Sequence, residues 1–119
     1  MKILELAFTA CPVTDFQKSR AFYEGILGLV PSEEPEPEPK WIEYEIGPHT
    51  FALGKFPDWN PSSEGVTVGF EVDDFDKTIA HLREHGVEFQ DEPFDTPVCH
   101  MALVFDPDKN LLIIHKRKS

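Results

Sequence analysis

The sequence predicts an α+β fold in which two βαβββ modules lie in tandem and form one domain over residues 1–119. The first observation is an internal repeat, because residues 13–21 (VTDFQKSRA) return as residues 72–80 (VDDFDKTIA) at an offset of 59 residues. The second is that Pro48 and Pro107 keep the same offset, each in the turn before the last strand of its half. The third is that each half combines alternating apolar residues with one helix-like segment. A repeat of this length indicates two copies of one supersecondary module, whose sheets are expected to form one concave cleft.

Module one is predicted over residues 1–57 and begins with a strand and a helix. Residues 3–13 are rich in apolar and small residues, which is typical of a strand. Asp15 follows as the expected N-cap of a helix, and Gly28 stands where that helix would end.

A loop and a hairpin complete module one. Residues 31–39 alternate proline with acidic residues, so they form neither a helix nor a central strand. We expect an exposed loop there, either a flap near the functional site or an acidic spacer. Residues 41–46 alternate at period two and turn at Gly47-Pro48 into residues 50–53, which predicts a β-hairpin.

Module two is predicted over residues 66–117, after a connector at residues 58–65 that is rich in turn-forming residues. Asp74 is the expected N-cap of its helix, and Gly86 ends that helix. Its strands are predicted at residues 66–72, 87–89, 101–105 and 111–115.

Composition and charge exclude several classes of partner. A chain of 119 residues with 40% hydrophobic residues buries a core without metal or disulfide. Its net charge of −11 argues against nucleic acid and favours a cationic ligand where the acidic field reaches a cleft. No apolar run is long enough to cross a membrane, and no signal peptide precedes the first strand. Cys11 and Cys99 lack metal-site spacing, so we expect free thiols in a cytoplasmic protein.

Three groups of residues resemble the vicinal oxygen chelate superfamily, which holds glyoxalase I, extradiol dioxygenases, fosfomycin-resistance transferases and bleomycin-resistance proteins. Residues 13–29 are similar to its opening pattern "VxD…S…FY…LGL". Residues 72–87 and 106–110 are similar to its later patterns "VdD…L…GV" and "DPDGN". The resemblance implies a glyoxalase-like domain over nearly the whole chain but does not fix a reaction. Lys109 replaces the turn glycine of the last pattern and is expected to adopt a left-handed backbone.

The resemblance also implies where a metal would bind. Catalytic members hold one divalent metal with up to four His, Glu or Gln ligands on the first and last strands of each module. The corresponding positions here are Phe8, Thr67, Ile113 and a residue near Ala52. Phe, Ile and Ala offer no side-chain donor, so we expect neither an ordinary metal centre nor another cofactor.

Strand alternation predicts which residues line the cleft. The expected face combines apolar and aromatic walls with a few carboxylates, which suits a small cationic or aromatic molecule. Its predicted ligand-binding residues are Phe8, Trp41, Glu43, Thr67, Glu71, Ile113 and His115, with Leu6, Ala10, Gly69, Glu45 and Leu111 beside them. The alternative for Glu43 and Glu45 is a solvated outer strand face.

The candidate catalytic residues are Glu71, His115 and His100, as a displaced metal site or as an acid–base pair. The alternative is that these histidines are structural or lie on the surface. No nucleophile motif is present, and Cys11 is expected to pack toward the helix.

Three functions remain open from the sequence, so it leaves undecided whether the protein is an enzyme. The first is a metal-free protein that resembles the bleomycin-resistance branch, binds a small molecule and forms a homodimer, as acidic relatives of that branch do. The second is a lyase or dioxygenase that uses one divalent metal through displaced ligands. The third is a catalytically silent homologue.

Overall fold

A computed structural model describes residues 1–118 of the protein. It contains two β-sheets, one in each half of the chain. The chain divides into a first unit, Met1–Pro61, and a second unit that begins at Ser62. The boundary lies inside the connector predicted at residues 58–65. The α+β class and the tandem arrangement agree with the prediction.

The first unit holds a three-stranded sheet of order β1-β3-β2. β1 runs parallel to β3, and β2 pairs antiparallel with β3 as the predicted hairpin. Its elements are β1 (Thr9–Pro12), α1 (Phe16–Arg20), a π-helical continuation of α1 (Ala21–Ile26), β2 (Trp41–Ile46) and β3 (His49–Gly54).

The first strand is shorter than the sequence predicts. β1 starts at Thr9, so the prediction that Leu6 and Phe8 lie on this strand is wrong. β1 pairs only with β3, and this pairing begins with Thr9 opposite Phe51. β3 begins two residues before Phe51, at His49, so the pairing ends before β3 does, and Phe8 instead contacts Trp41 through its ring.

Helix α1 begins where the sequence predicts and changes geometry after one turn. The Asp15 carboxylate accepts hydrogen bonds from the backbone N–H groups of Gln17 (2.9 Å) and Lys18 (3.2 Å). In the π-helical continuation, the Leu27 N–H donates to the Phe22 carbonyl (2.9 Å). The helical side of the sheet is buried through the side chains of Phe22, Tyr23, Ile42, Tyr44, Phe51, Leu53 and Cys11. The expected inward packing of Cys11 is therefore confirmed.

The second unit holds a four-stranded sheet of order β4-β7-β6-β5, with β4 parallel to β7. Its elements are β4 (Val68–Glu71), α2 (Phe75–Glu84), β5 (Phe94–Asp95), β6 (Cys99–Phe105) and β7 (Leu111–Arg117). The strand predicted at residues 87–89 is only a single bridge between Phe89 and Val104, and β5 is an addition that the sequence did not predict. Thr67 comes just before β4, so its expected place on the strand is wrong by one residue.

The repeat appears in the elements themselves. β1 and β4, and the N-caps Asp15 and Asp74, are separated by the same 59 residues as the repeated sequence. In register, Ala10 lies opposite Ala52, and the equivalent Gly69 lies opposite Ile113. Ala52 and Ile113 are therefore equivalent last-strand positions, as the sequence predicts.

The turn before β7 forms around two buried polar residues. The Asp106 carboxylate accepts hydrogen bonds from the backbone N–H groups of Asp108 and Asn110 (both 2.9 Å), and the Asn110 side-chain amide donates to it over 2.8 Å. Lys109 lies between them with a φ of 69°, the left-handed conformation expected for a residue that replaces glycine.

Candidate functional site

The open face of the first sheet carries Trp41, Glu43 and Glu45. These alternate along β2 with the inward-facing Ile42 and Tyr44, as the sequence predicts. In register, Trp41 lies opposite Gly54, Glu43 opposite Ala52, and Glu45 opposite Thr50. The floor of this face is therefore made of small residues, and the large side chains stand on one strand.

An aromatic cluster covers one end of that face; it consists of Phe8, Trp41, Phe56 and Trp59. Phe8 and Trp41 form a T-shaped pair at a centroid distance of 5.3 Å, and Trp59 stacks on Trp41 at 6.4 Å with an interplanar angle of 20°. Phe56 lies 6.4 Å from each indole. Phe8 is 52% exposed and Phe56 44% exposed, so the cluster presents aromatic surface to solvent.

Gly54 allows the two indoles to pack against the strand. A Cβ atom at this position would lie 2.6 Å from Trp59 and 2.9 Å from Trp41, closer than real contacts permit. The aromatic cluster therefore needs a glycine at the end of β3.

A cavity of about 570 Å³ lies beside Trp41 and Glu43. Its lining includes five glutamates and one lysine, so the formal charge around it is negative. The lining residues are Ser32, Glu33, Glu34, Pro35, Glu36, Glu38, Pro39, Lys40, Trp41, Ile42 and Glu43.

The proline-rich acidic segment forms most of that cavity wall and is fixed at both ends. The Ser32 N–H donates to the Glu43 carbonyl (2.8 Å), and the Lys55 N–H donates to the Lys40 carbonyl (2.9 Å). Pro31 makes a single antiparallel bridge to Tyr44. This placement favours the flap over the plain acidic spacer.

Two glutamates on β2 have different partners. The Trp41 indole Nε1–H donates to Glu43 Oε2 over 2.9 Å, which holds this carboxylate beside the indole ring. Glu45 instead accepts hydrogen bonds from the hydroxyls of Ser32 (3.2 Å) and Thr50 (3.0 Å). Glu43 therefore lines the cavity, whereas Glu45 connects the acidic segment to the hairpin through its hydrogen bonds.

The open face of the second sheet carries Glu71, Ile113 and His115, as strand alternation predicts. Glu71 Oε1 lies 2.5 Å from His115 Nδ1, and Glu71 Oε2 accepts the backbone N–H of Arg117 over 2.9 Å. The hydrogen bond from Arg117, followed by the one from His115, lowers the pKa of Glu71. The carboxylate is thus ionised and held by two donors, which favours the acid–base pair among the predicted alternatives.

His100 does not join that pair. It lies in register with Asp95 and Lys116, on the sheet face opposite to its neighbour Met101. Its Nδ1 lies 2.7 Å from Asp95 Oδ1, and its ring stacks on Phe75 at 5.4 Å. The hydrogen bond from His100 lowers the pKa of Asp95. The candidate catalytic set that combined His100 with Glu71 and His115 is therefore corrected to the last two residues.

The four positions that the resemblance assigns to metal ligands do not fit a metal. Phe8 packs on Trp41, Ala52 is fully buried, and Ile113 adds an aliphatic side chain to its sheet face. The hydroxyl of Thr67 points to the Gly65 carbonyl at 3.5 Å. Within residues 1–118, no three His, Cys, Asp or Glu side chains are grouped so that they hold a metal ion.

Sequence reasoning missed Phe56 and Trp59, since it placed Phe56 at the end of module one and Trp59 in the connector without giving either a role at the site. The available signal was two aromatic residues in a stretch otherwise made of turn formers, directly after Gly54. Among the described residues, no helix is both long and apolar enough to span a membrane.

Comparison with known proteins identifies the family. Residues 5–114 match the profile of the Glyoxalase/Bleomycin resistance protein/Dioxygenase superfamily, so the chain belongs to this superfamily. It is 31% identical, over 137 aligned residues, to the uncharacterized protein YraH of Bacillus subtilis (strain 168), with 98% of each chain covered.

Solved structures show the same fold. The chain is 27% identical to TnmS3, an antibiotic binding protein from Streptomyces sp. CB03234, with a TM-score of 0.79 and 99% of each chain covered. It is 20% identical to a putative glyoxalase family protein from Bacillus anthracis, with a TM-score of 0.82 over 99% of this chain and 98% of that one. The fosfomycin resistance protein FosX from Mesorhizobium loti is 16% identical, with a TM-score of 0.73 over 97% of this chain and 93% of that one. At these identities, the last two likenesses concern the fold alone.

Proposed function

We propose that this protein binds a small organic cation, without a metal, in the cavity beside Trp41. The observation that carries the proposal is that cavity of about 570 Å³, which is lined by Trp41 and five glutamates. The volume is in the range of small-molecule sites. A binding role also agrees with the likeness to TnmS3, described as an antibiotic binding protein.

The chemistry of the walls selects positive charge. The face of an indole attracts a cation through its quadrupole, and Trp is the best of the aromatic side chains at this. The carboxylates of Glu33, Glu34, Glu36 and Glu38 add an attractive field over short distances. Glu43, fixed by the Trp41 indole, places one more carboxylate at the edge of the ring.

Intrinsic fluorescence tests the proposal directly. The chain has two tryptophans, and both Trp41 and Trp59 lie in the aromatic cluster, so the emission reports on this site alone. We expect choline to change the emission and to bind in titration calorimetry. Its neutral isostere 3,3-dimethylbutan-1-ol, which has carbon in place of the charged nitrogen, should bind at least about fivefold more weakly because it loses the cation–π and ionic attraction.

The controls test whether the positive charge of choline is responsible for its binding. Added salt should weaken choline binding and leave the alcohol unaffected. Glu84→Gln, on the exposed side of α2, should leave both affinities unchanged. Equal affinity for choline and the alcohol would contradict a cation site.

Metal content is tested separately. Protein purified without chelator should contain no stoichiometric divalent metal; finding such a metal would favour the lyase or dioxygenase hypothesis with Glu71 and His115 among its ligands. If neither metal nor any ligand binds, the silent homologue is the better description.

The proposal includes a homodimer in the cytoplasm. The first eight residues carry five large apolar side chains that are exposed by half or more, and exposed apolar clusters mark association surfaces. The exposed residues of this group are Met1, Ile3, Leu4, Leu6 and Phe8. Cys11 and Cys99 are buried and form no disulfide, which suits a reducing compartment.

A further inference from the structure

We propose that Glu71 and His115 form a proton-accepting site for a ligand that carries an acidic hydroxyl, such as a phenol or an enol. The site lies on the open face of the second sheet and is independent of the cation site proposed above. His115 accepts the proton at Nε2, and Glu71 is the positioning residue that sets its tautomer.

The tautomer follows from the partners of Glu71. An ionised carboxylate only accepts hydrogen bonds, so Nδ1 of His115 must carry the hydrogen that lies between it and Glu71 Oε1. The neutral imidazole then has its lone pair on Nε2. The backbone N–H of Arg117 occupies the other carboxylate oxygen, so Glu71 cannot rotate away without losing that hydrogen bond.

The surroundings of His115 supply a platform for an apolar ring. Met101 lies opposite His115 on β6, and Phe94 lies opposite Met101 on β5, so these side chains share one face. Ile113 lies two residues before His115, and the neighbouring position on β4 is Gly69, which has no side chain to cover it. Phe94 is 42% exposed. A planar apolar ligand therefore finds hydrophobic contact next to a single hydrogen-bond acceptor.

Both polar side chains are reachable from solvent. The side chain of His115 is 29% exposed and that of Glu71 is 39% exposed. The proton step needs no co-reactant: the O–H bond of the ligand breaks, the proton binds Nε2, and the electron pair remains on oxygen. The resulting imidazolium donates from Nδ1 to Glu71, which stabilises the ion pair.

Two charged side chains lie near the imidazole. Glu71 on β4 favours the imidazolium, while Arg117, two residues further along β7 on the same face, favours the anionic ligand. The facing residues Met101 on β6 and Phe94 on β5 carry no charge. Both charges therefore stabilise the ion pair that proton transfer forms.

The test uses 4-nitrophenol and its methyl ether, 4-nitroanisole, with the chain of 119 residues. The two probes share a ring, but only the phenol has a proton to transfer. We expect the phenol to bind at least about tenfold more tightly, the effect of one charge-assisted hydrogen bond. Its phenolate absorption should also appear at a lower pH in the bound state than in free solution. Equal affinity, an unshifted absorption or no binding of either probe overturns the proposal.

Two variants separate positioning from folding. In Glu71→Gln the amide can donate to Nδ1, which moves the hydrogen to Nε2 and turns the acceptor into a donor. We expect this variant to lose the preference for the phenol while it keeps its circular dichroism spectrum, and His115→Gln to lose the absorption shift. His49→Gln, an exposed histidine of the first unit, should behave as the unmodified protein does.

Nitrogen NMR of the histidine rings gives a readout without any ligand. His115 should be the Nδ1–H tautomer near neutral pH in the original chain and the Nε2–H tautomer in Glu71→Gln. An Nε2–H tautomer in both proteins contradicts the assignment of His115 as an acceptor.

Discussion

The Trp41 indole donates a hydrogen bond to the Glu43 carboxylate, two residues along the same strand, over 2.9 Å. Both side chains are on the open face of β2 because strand residues alternate. The bond fixes the carboxylate at the edge of the ring, so neither group has to be ordered when a ligand binds. Preorganisation of this kind lowers the entropic cost of association.

Substitution of either partner should weaken the binding of choline. Trp41→Leu removes the aromatic face, and we expect a loss of about 2- to 30-fold in affinity, since cation–π contacts contribute about 0.5–2 kcal/mol. Glu43→Gln removes a charge at the ring edge and should cost several-fold at low salt. Titration calorimetry measures both.

Glu45→Gln is the matched control for this pair. Glu45 stands on the same face of the same strand, but it is held by Ser32 and Thr50 and does not line the cavity. If Glu45→Gln weakens choline binding as much as Glu43→Gln does, the loss of affinity comes from the overall negative charge and not from the position of the Glu43 carboxylate.

Gly54→Ala should disrupt the aromatic cluster. The added methyl group would come within 2.6 Å of Trp59 and 2.9 Å of Trp41, so both indoles must move. Overpacking of this kind costs about 1–3 kcal/mol of unfolding free energy. Denaturant melts should show the loss, and the tryptophan emission maximum should shift in the folded protein.

Gly25→Ala is the control for that substitution. A Cβ atom at Gly25 meets nothing within 4 Å, and this glycine has no positive φ. Its stability should stay within about 1 kcal/mol of the original chain, in the range of a helix-propensity change. A similar loss in both variants would mean that Gly54 has no special role.

Many of the helices and strands were predictable because they depend on residues that are close in the sequence. Each N-cap aspartate precedes its helix, and each alternating run has one apolar side, so the repeat at Asp15 and Asp74 places both helices. The length of β1 was not predictable, since it depends on pairing between Thr9 and Phe51, which are far apart in the sequence. The aromatic cluster was missed for a similar reason: Trp59 reaches Trp41 only because Gly54, between them in space, has no side chain.

The two cap residues should make comparable contributions to stability. Asp15→Ala removes the acceptor for two backbone N–H groups of α1, and Asp74→Ala removes the acceptor for the Lys77 N–H of α2. Loss of an N-cap costs about 1 kcal/mol. Thermal melts of each variant should show this decrease, whereas Asp→Asn at either position should retain most of the stability. A neutral effect of both alanine variants would contradict the assigned caps.

Glu24 should make the unfolding free energy of the protein depend on pH in the acidic range. Burial raises its pKa, but hydrogen bonds from Arg20 (2.7 Å) and Tyr44 (2.8 Å) outweigh this and hold the pKa below the ordinary value of 4.5. A lowered pKa in the folded state means that the ionised carboxylate stabilises the fold above the ordinary value. That contribution is lost as the pH falls through the lowered value.

Glu24→Gln should therefore reduce the unfolding free energy near pH 7 and flatten its decline below about pH 4.5. Tyr44→Phe removes a buried hydroxyl that donates to this carboxylate, and we expect a loss of about 1–2 kcal/mol. Urea melts at several pH values measure both effects. Glu36→Gln, an exposed carboxylate, is the control; an acid dependence unchanged in Glu24→Gln would contradict the role of Glu24.

The exposed apolar residues near the start of the chain should determine the oligomeric state. Ile3 is 79% exposed, Leu4 82% and Leu6 89%, and exposed apolar side chains in one short segment favour association. We expect light scattering after size exclusion to give the mass of a dimer, and the combined replacement of these three residues by Ser to give a monomer. Val98→Ser, at a position 72% exposed in the second unit, is the matched control and should remain dimeric. A monomeric original chain would remove the homodimer from the proposed function, while a dimer that survives the triple replacement would place its interface elsewhere.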